Sequence, residues 1–319
     1  MKDKIEYTST INEDLTKLSV LTVDEAKDTD YVLSALKENK VVLIQGVTQV
    51  YADNIIFDVA KKLGLAEKLE TEAGFASVIG HRKSVGKYFM SVNERSDYQV
   101  IPAHSEGSHR MNMQLASFYA MENTTDGGET ILFNTRETSS EWDSLRDIVT
   151  KCDIGNRKLT QLEIMQAKML LNINIPEDIV TKKDVVVSEK GSPAPGITLF
   201  NVLVPLQKIR SIILERDCFV YWDTVASVDF DSGLAYLDFL KTTGLLKEPE
   251  SGIDISRLDY VHPRRLWSSG MNYSGLFESK ITRKLIAGDM IIMNNLTWTH
   301  ATNNWTPGSG QRKVVAAFA

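Results

Sequence analysis

Three residues in the sequence have side chains that could bind one metal ion: His104, Glu106 and His300. In an extended strand the side chains alternate between two faces, so His104 and Glu106 leave the backbone on the same face, about 6.6 Å apart along the strand. Two imidazoles and one carboxylate form the ligand set of non-haem Fe(II) sites, which leaves coordination positions open for substrates. His300 lies far along the chain, so only the fold can bring it to the other two.

A histidine two residues before a glutamate is a weak signal on its own, because such a pair also occurs by chance on protein surfaces. Further features of the sequence strengthen it. A Gly-Gly-Glu-Thr turn spans residues 127–130, Gly288 and Asp289 open a strongly apolar segment, and Arg312 follows His300 by twelve positions.

In this order, these features resemble the Fe(II)- and 2-oxoglutarate-dependent oxygenases of the taurine dioxygenase-like (TauD/TfdA) superfamily. They are most similar to the clavaminate-synthase-like branch, in which Glu stands in place of Asp. The resemblance spans about residues 101–319, with a variable middle. It implies that His104, Glu106 and His300 bind the iron of the catalytic centre.

The resemblance also assigns two residues to the cosubstrate. Arg312 would pair with the distal carboxylate of 2-oxoglutarate, and Thr130 of the Gly-Gly-Glu-Thr turn would hydrogen-bond to the same group. The chemistry agrees, because the fork of a guanidinium gives two parallel hydrogen bonds to a carboxylate. The cosubstrate can then be held in one orientation while its keto acid end binds the metal.

The fold implied by the resemblance is a double-stranded β-helix. This jelly-roll is mainly β with flanking helices, and it hosts metal sites between its two sheets. We expect residues 1–319 to form a single catalytic domain. Within it, residues 1–70 would supply a supporting helix–strand–helix unit, and residues 98–319 the jelly-roll core with insertions around 150–285.

The activity implied by the resemblance uses Fe(II), 2-oxoglutarate and O2 to hydroxylate an unactivated C–H bond. By analogy with the Glu-bearing branch, the substrate is a small amino-acid-like or natural-product molecule of specialised metabolism, free or attached to a carrier. The same cofactors also support desaturation, cyclisation or epoxidation. Two other classes stay open: a zinc hydrolase with the same three ligands, and a jelly-roll that binds a ligand without metal. Against the hydrolase, an HExxH motif is absent and Arg312 has no obvious role.

Two positions narrow the expected reaction. Taurine dioxygenase carries a second arginine shortly after the cosubstrate arginine, where it grips a sulfonate, whereas this chain has Ala316 four residues after Arg312. Taurine is therefore not the expected substrate. Halogenases of this group replace the carboxylate ligand by Gly or Ala to admit chloride, but Glu106 fills that position here. Oxygen transfer is therefore favoured over chlorination.

The composition sets limits on partners and location. Hydrophobic residues make up 43% of the 319 residues, and the formal net charge of −6 gives no basic surplus for nucleic acid or an anionic membrane. The charged N-terminal segment lacks the apolar stretch of a signal peptide, so we expect a cytoplasmic protein with a small-molecule substrate. Cys152 and Cys218 show no metal-binding or disulfide spacing and are predicted to be buried or idle thiols. The sequence does not indicate an oligomeric state.

Apolar periodicity and turn residues predict the elements that must position the site. Helices are predicted at 24–39, 51–65, 137–148 and 234–246. Strands are predicted at 41–46, 115–121, 131–133, 218–222, 286–295 and 311–318. Segment 75–91 is predicted to be a loop or short strand that either roofs the pocket or lies in solvent, and the Gly/Pro cluster at 191–196 is predicted to be an insertion loop.

The remaining candidate residues are assigned weaker roles. His109 is predicted to line the pocket wall or the surface, and His81 and His262 carry no partner signal. Trp298 and Trp305 bracket His300 and are expected to pack rather than to stack on substrate. Candidate substrate contacts, for which a solvated charge is the alternative, are Arg110, Arg264 and Arg265.

Overall fold

The structure is a computed structural model, and it describes residues 11–79, 82–92, 95–194, 196–222, 224–226, 232–249 and 273–319. Four residues considered above, His81, His262, Arg264 and Arg265, lie outside these ranges. No helix in the described ranges is both long enough and apolar enough to cross a bilayer.

The described chain is built mainly from β-strands. The strands are β1 (Ser19–Thr22), β2 (Val41–Gln45), β3 (Ser84–Val85), β4 (Phe89–Ser91), β5 (Ile101–His104), β6 (Leu115–Asn123), β7 (Thr130–Thr135), β8 (Arg146–Asp153), β9 (Val185–Ala194), β10 (Ile197–Pro205), β11 (Ile209–Arg210), β12 (Asp217–Cys218), β13 (Val225–Ala226), β14 (Phe277–Arg283), β15 (Met290–Asn294), β16 (Trp298–Thr302) and β17 (Arg312–Phe318). The α-helices are α1 (Thr29–Asn39), α2 (Gln49–Lys62), α3 (Ala66–Ile79), α4 (Glu141–Ser144), α5 (Gln161–Leu171), α6 (Ser232–Thr242) and α7 (Tyr273–Leu276). Short 3-10 turns cover Leu15–Lys17 and Glu25–Lys27.

Two sheets form the jelly-roll. The larger sheet has the order β1-β2-β15-β6-β17-β4-β3, and the smaller has the order β14-β7-β16-β5. Along the chain, β4 to β7 alternate between the larger and the smaller sheet, and after β14 in the smaller sheet, β15 to β17 alternate again. This connectivity is that of a double-stranded β-helix, so the predicted fold class is confirmed.

Strand β15 shows why the apolar runs of this chain form central strands. All five of its residues are buried. Ile291 and Met293 face the cluster between the two sheets, whereas Met290 and Ile292 face the cluster formed with the N-terminal helices. A strand covered on both faces is apolar at consecutive positions and not only at alternate ones, as the first four residues of β15 are. Each of these side chains stabilises the fold by about 1.5–3 kcal/mol through burial.

The N-terminal part extends the larger sheet and covers its outer face. Strand β2 pairs with β15 and with β1, and helices α1 and α2 pack on its outer side. Helix α1 begins after Asp28, whose carboxylate accepts hydrogen bonds from the backbone N–H groups of Asp30 and Tyr31. The predicted helix, strand and helix correspond to α1, β2 and α2, but α1 begins at Thr29 rather than residue 24 and α2 ends at Lys62 rather than residue 65.

The chain between β7 and β14 carries a separate small sheet of order β13-β8-β10-β9. The prediction of a helix over 137–148 is wrong here: the helix is limited to α4, and β8 begins at Arg146. Trp142, Leu145 and Ile148 have helical spacing. However, every residue of β8, including the β-branched run Ile148-Val149-Thr150, pairs with β10. Cross-strand pairing thus overrides the local periodicity.

Three other boundaries also differ from prediction. Helix α3 runs through Phe75 to Ile79, so in the segment 75–91 only the described residues 82–91 are loop and short strand. Strand β9 continues to Ala194, so residues 191–194 of the Gly/Pro cluster form the end of a β-hairpin arm. In the segment 218–222, only Cys218 belongs to a strand, and Trp222 makes an isolated bridge with Ser105.

The strands and helices nearest the site agree better with prediction. The predicted strands at 41–46, 115–121, 131–133, 286–295 and 311–318 correspond to β2, β6, β7, β15 and β17, and the helix at 234–246 corresponds to α6. The jelly-roll begins before residue 98, because β4 pairs with β17.

Candidate metal centre and anion pocket

His104 and His300 come together because they are direct partners across two strands. His104 is the last residue of β5, and His300 in β16 pairs with it. Their ring centroids are 4.2 Å apart, and both residues are buried, at 7% and 6% exposure. Strand pairing therefore supplies the long-range contact between the two histidines.

Glu106 reaches the two histidines from just outside the strand. Because β5 ends at His104, the alternation of strand side chains does not by itself place Glu106. Its position is fixed by Asn295: the Asn295 Oδ1 accepts from the Glu106 N–H at 3.0 Å, and the Asn295 Nδ2 donates to the Glu106 carbonyl at 2.9 Å. The Asn295 Nδ2 also donates to the Met113 carbonyl at 2.7 Å.

The three side chains converge on one point. The Nε2 atoms of His104 and His300 lie 3.7 Å and 3.6 Å from the Glu106 Oε1. One possible ligand atom from each residue lies within 4.8 Å of the other two. Two ligand atoms bound to one ion at ~2.1 Å would be separated by roughly 3.0–3.4 Å, so the imidazole–carboxylate separations fit a shared metal ion after small inward shifts.

The hydrogen bonding of His104 favours metal binding by its Nε2 atom. The Nδ1 atom lies 2.9 Å from the carbonyl oxygen of Pro102, which can only accept. Nδ1 therefore carries the proton in the neutral ring, and the Nε2 lone pair is directed at Glu106 and His300. The donor set of two imidazole nitrogens and one carboxylate oxygen suits a divalent transition metal.

The charge state of Glu106 is set by opposing effects. Burial alone would raise the pKa of its carboxyl group, but the polar contacts with the His104 and His300 rings, together with the charge of Arg82, hold this pKa well below its usual range. The Arg82 Nη2 lies 3.9 Å from the Glu106 Oε2, the oxygen that faces away from the histidines. Glu106 is therefore an anion, with one oxygen directed at the histidines and the other at Arg82.

Arg312 lies beside the Gly-Gly-Glu-Thr turn. Its Nε donates to the carbonyl of Gly128 at 3.1 Å. Gly127 and Gly128 allow this packing: a Cβ on Gly127 would lie 2.1 Å from the Asn304 carbonyl oxygen, and one on Gly128 would lie 3.0 Å from the Arg312 Cδ. Burial lowers the pKa of Arg312 to about 10, although the carboxylate of Glu129 opposes the shift.

Thr130 is the last residue of the Gly-Gly-Glu-Thr turn and the first residue of β7 in the smaller sheet. It is buried at 3% exposure and pairs with Thr302, two residues along β16 from His300. Thr130 therefore belongs to the turn that packs on Arg312 and also pairs with β16, the strand that carries His300. The roles of Arg312 and Thr130 toward a cosubstrate remain predictions.

Arg95, which was not selected from the sequence, lies beside the same aromatic ring as Arg312. Its guanidinium carbon lies 5.5 Å from the ring centroid of Trp305, and that of Arg312 lies 5.9 Å from the same centroid. The Arg95 Nη1 atom is buried and, among the described residues, has no hydrogen-bond partner. Burial first, and then the nearby charge of Arg312, hold the pKa of Arg95 well below its usual range. Trp305 therefore packs, as expected, and two cations lie beside its ring.

Asparagine side chains near β16 hold the surroundings of the site together. Asn303 donates to Glu129 Oε2 at 2.8 Å, and Asn304 donates to the carbonyls of Tyr98 and Lys247, each at 2.9 Å. Asn295 and Asn304 were also not selected from the sequence. Asn295 directly follows β15 and Asn304 lies just after β16, and a buried amide at such a position is expected to hydrogen-bond to backbone groups.

The other candidates from the sequence have structural contacts. Trp298 is fully buried in the cluster between the sheets, as predicted. Arg110 forms an ion pair with Asp178 at 2.5 Å, which ties it to the insertion. His109 is half-buried and lies near Asp147, the burial of which raises the pKa of its carboxyl group. Cys152 and Cys218 are free and buried, as predicted.

No protein-family model and no curated protein matches this chain. Among solved structures, the chain is similar to AAD-2 in complex with Mn(II) and N-oxalylglycine, at 11% identity and a TM-score of 0.46, covering 97% of this chain and 96% of that one. It is also similar to PvcB, an Fe, alpha-ketoglutarate dependent oxygenase from an isonitrile synthetic pathway, at 10% identity and a TM-score of 0.42, covering 93% and 81%. A putative alpha-ketoglutarate dependent 2,4-D dioxygenase from Burkholderia xenovorans matches at 10% identity and a TM-score of 0.38, covering 98% and 96%.

Proposed function

We propose that this chain is an Fe(II)- and 2-oxoglutarate-dependent oxygenase that acts as a single catalytic domain on a small molecule. The observation that carries the proposal is the convergence of His104, Glu106 and His300 within 4.8 Å of one another. Three protein ligands leave positions open on a six-coordinate ion, as substrate chemistry at non-haem iron requires.

Each residue of the site has a defined task in this proposal. His104, Glu106 and His300 hold the metal, and Arg312 and Thr130 hold the distal carboxylate of 2-oxoglutarate. When bound, Fe(II) and 2-oxoglutarate would supply the electrons that activate O2 for attack on an unactivated C–H bond. The protein orients the cosubstrate and excludes water, for which the burial of both histidines and of Thr130 is suited.

The largely buried guanidinium of Arg312 favours this function over zinc hydrolysis. A buried cation near a metal site calls for an anionic ligand, and hydrolysis by a metal-bound water supplies none there. The carboxylate of Glu106 favours oxidation over halogenation, because it occupies the position that a halide would need.

The finer assignment is hydroxylation of an amino-acid-like or natural-product substrate, free or attached to a carrier, in specialised metabolism, with desaturation, cyclisation or epoxidation as alternative outcomes. We place the protein in the cytoplasm. Two free, buried cysteines are consistent with a reducing compartment.

The test combines purified protein, Fe(II), 2-oxoglutarate, isotopically labelled O2 and a library of amino acids and natural-product precursors, with excess chloride present. The expected result is substrate-dependent formation of succinate and a product that has gained labelled oxygen or lost two hydrogens, read by mass spectrometry. The His300→Ala variant, which lacks one ligand, should form neither. A chlorinated main product, or turnover that needs zinc instead of iron, would contradict the proposal.

A further inference from the structure

Two guanidinium groups lie beside the same Trp305 ring, and the charges around them do not balance. Arg95 and Arg312 lie within 6 Å of the same Trp305 ring, at 5.5 Å and 5.9 Å from its centroid. In the described part of the chain, no carboxylate lies within ion-pair distance of either guanidinium, and Glu129 is the nearby acid that acts on Arg312. Two cations beside one anion leave a surplus of one positive charge.

Such a surplus is costly inside a protein unless a ligand offsets it. Cation–π contact with Trp305 replaces only part of the lost hydration. The buried Nη1 of Arg95 lacks an acceptor among the described residues, although a buried donor without a partner costs free energy. Both features point to an anionic acceptor with a single negative charge that enters this pocket.

The position of Arg95 indicates which anion this is. Asn304 donates to the carbonyl of Tyr98, so the chain just after Arg95 is tied to the segment that follows β16. That segment contacts the Gly-Gly-Glu-Thr turn, because the Gly128 N–H donates to the Asn304 carbonyl at 3.1 Å. Arg95 is thus held near Arg312 and the Gly-Gly-Glu-Thr turn.

We infer that Arg95 is a second guanidinium for the distal carboxylate of the cosubstrate, so that Arg95 and Arg312 together bind this group against the Trp305 ring. The inference rests on the proposed function, since it assigns a further residue to the same cosubstrate. It makes Arg95 a specificity residue for 2-oxo acids with a second carboxylate. It also gives Trp305 a task, because the ring orients both guanidinium groups.

The test compares two ligands and two residues by calorimetry on the Fe(II)-loaded protein without oxygen. The ligands are 2-oxoglutarate and 2-oxopentanoate, which carries a methyl group in place of the distal carboxylate. Arg95→Gln should weaken 2-oxoglutarate about tenfold to hundredfold, as expected for a charge-assisted hydrogen bond, and change 2-oxopentanoate less than about twofold. Arg95→Lys, which keeps the charge but loses the fork, should lie between wild type and Arg95→Gln.

Arg157→Gln is the matched control, because Arg157 is exposed and pairs with Glu163 at 2.5 Å in the insertion. It should leave the affinity for both ligands unchanged. Equal weakening of both ligands by Arg95→Gln and Arg95→Lys, or no change in either, would overturn the inference. A wild-type protein that binds Fe(II) but not 2-oxoglutarate would instead contradict the proposed function itself. Circular dichroism of each variant separates loss of folding from loss of binding.

Discussion

At the scale of single residues, the site depends as much on the groups that hold the ligands as on the ligands. Asn295 makes three hydrogen bonds, two to the backbone of Glu106 and one to that of Met113. No strand pairing holds Glu106, so this amide fixes the carboxylate relative to the histidines. Asn295 is therefore a positioning residue of the metal centre.

Replacement of Asn295 by Ala should weaken Fe(II) binding about tenfold or more, because outer partners of metal ligands typically contribute that much. It should also destabilise the fold by ~2–5 kcal/mol, since buried backbone groups lose their partners. Asn294→Ala is the control: Asn294 is equally buried, but its Oδ1 accepts from the Leu296 N–H and makes no contact with Glu106. Titration calorimetry with Fe(II) without oxygen and thermal denaturation measure the two effects. Equal loss of metal affinity in both variants would refute the positioning role.

Arg312→Lys should weaken 2-oxoglutarate about tenfold or more while Fe(II) affinity changes little. A lysine ammonium makes a point-charge contact where the planar guanidinium makes two parallel hydrogen bonds. Thr130→Val should act in the same direction by the ~0.5–1.5 kcal/mol of one net hydrogen bond. Both effects are read from the concentration of 2-oxoglutarate needed for half-saturation. An unchanged value for Arg312→Lys would remove Arg312 from the cosubstrate pocket.

At the scale of elements, strong sequence patterns predicted structure well, and weak ones were overridden by pairing. The apolar run within Met290–Asn294 and the Gly-Asp turn before it predicted β15, because such a run is typical of a strand that is buried on both faces. Trp142, Leu145 and Ile148 predicted a helix, but pairing of β8 with β10 prevails. His104, Glu106 and His300 were predicted to be ligands from their types and a family resemblance. Arg95 and Asn295 could not be predicted to belong to the site, because their roles arise from contacts with residues that are distant in the sequence.

The Gly-Gly-Glu-Thr turn offers a test at this scale. Gly127→Ala should destabilise the fold by ~2 kcal/mol or more and weaken 2-oxoglutarate, because its Cβ would lie 2.1 Å from the Asn304 carbonyl oxygen and displace the chain beside Arg312. Gly74→Ala in α3 meets no atom within 4 Å and should be neutral or stabilise by up to about 1 kcal/mol. Chemical denaturation compares the two variants. Similar stability of both would show that the close packing at Gly127 is unimportant.

At the scale of the whole molecule, two separate hydrophobic clusters each enclose one thiol of the segment between β7 and β14. Cys152 and Cys218 are 0% and 2% exposed, and burial raises the pKa of the Cys218 thiol to about 11. A raised thiol pKa means less thiolate: at pH 8 the reactive fraction of Cys218 is only about one in a thousand. Both thiols should therefore resist iodoacetamide in the native protein and react fully in denaturant. Rapid labelling of the native protein, read by mass spectrometry, would contradict the described packing.

The fold also brings together functional groups that are far apart in the sequence. Strands β5 and β16 pair the two histidines, and Trp305, in the segment after β16, lies near both Arg95 and Arg312. A ligand that binds only the native state stabilises it, so Fe(II) and 2-oxoglutarate together should raise the melting temperature more than Fe(II) alone.

The most direct measurement is an anaerobic titration of the metal-free protein, first with Fe(II) and then with 2-oxoglutarate, followed by visible absorption. We expect one Fe(II) per chain and a new absorption band when the keto acid end of 2-oxoglutarate binds the iron. The band should be lost in His104→Ala and His300→Ala, and should need a higher 2-oxoglutarate concentration in Arg312→Lys. A wild-type protein that binds no Fe(II), or that binds it and gives no band at saturating 2-oxoglutarate, would contradict the central claim.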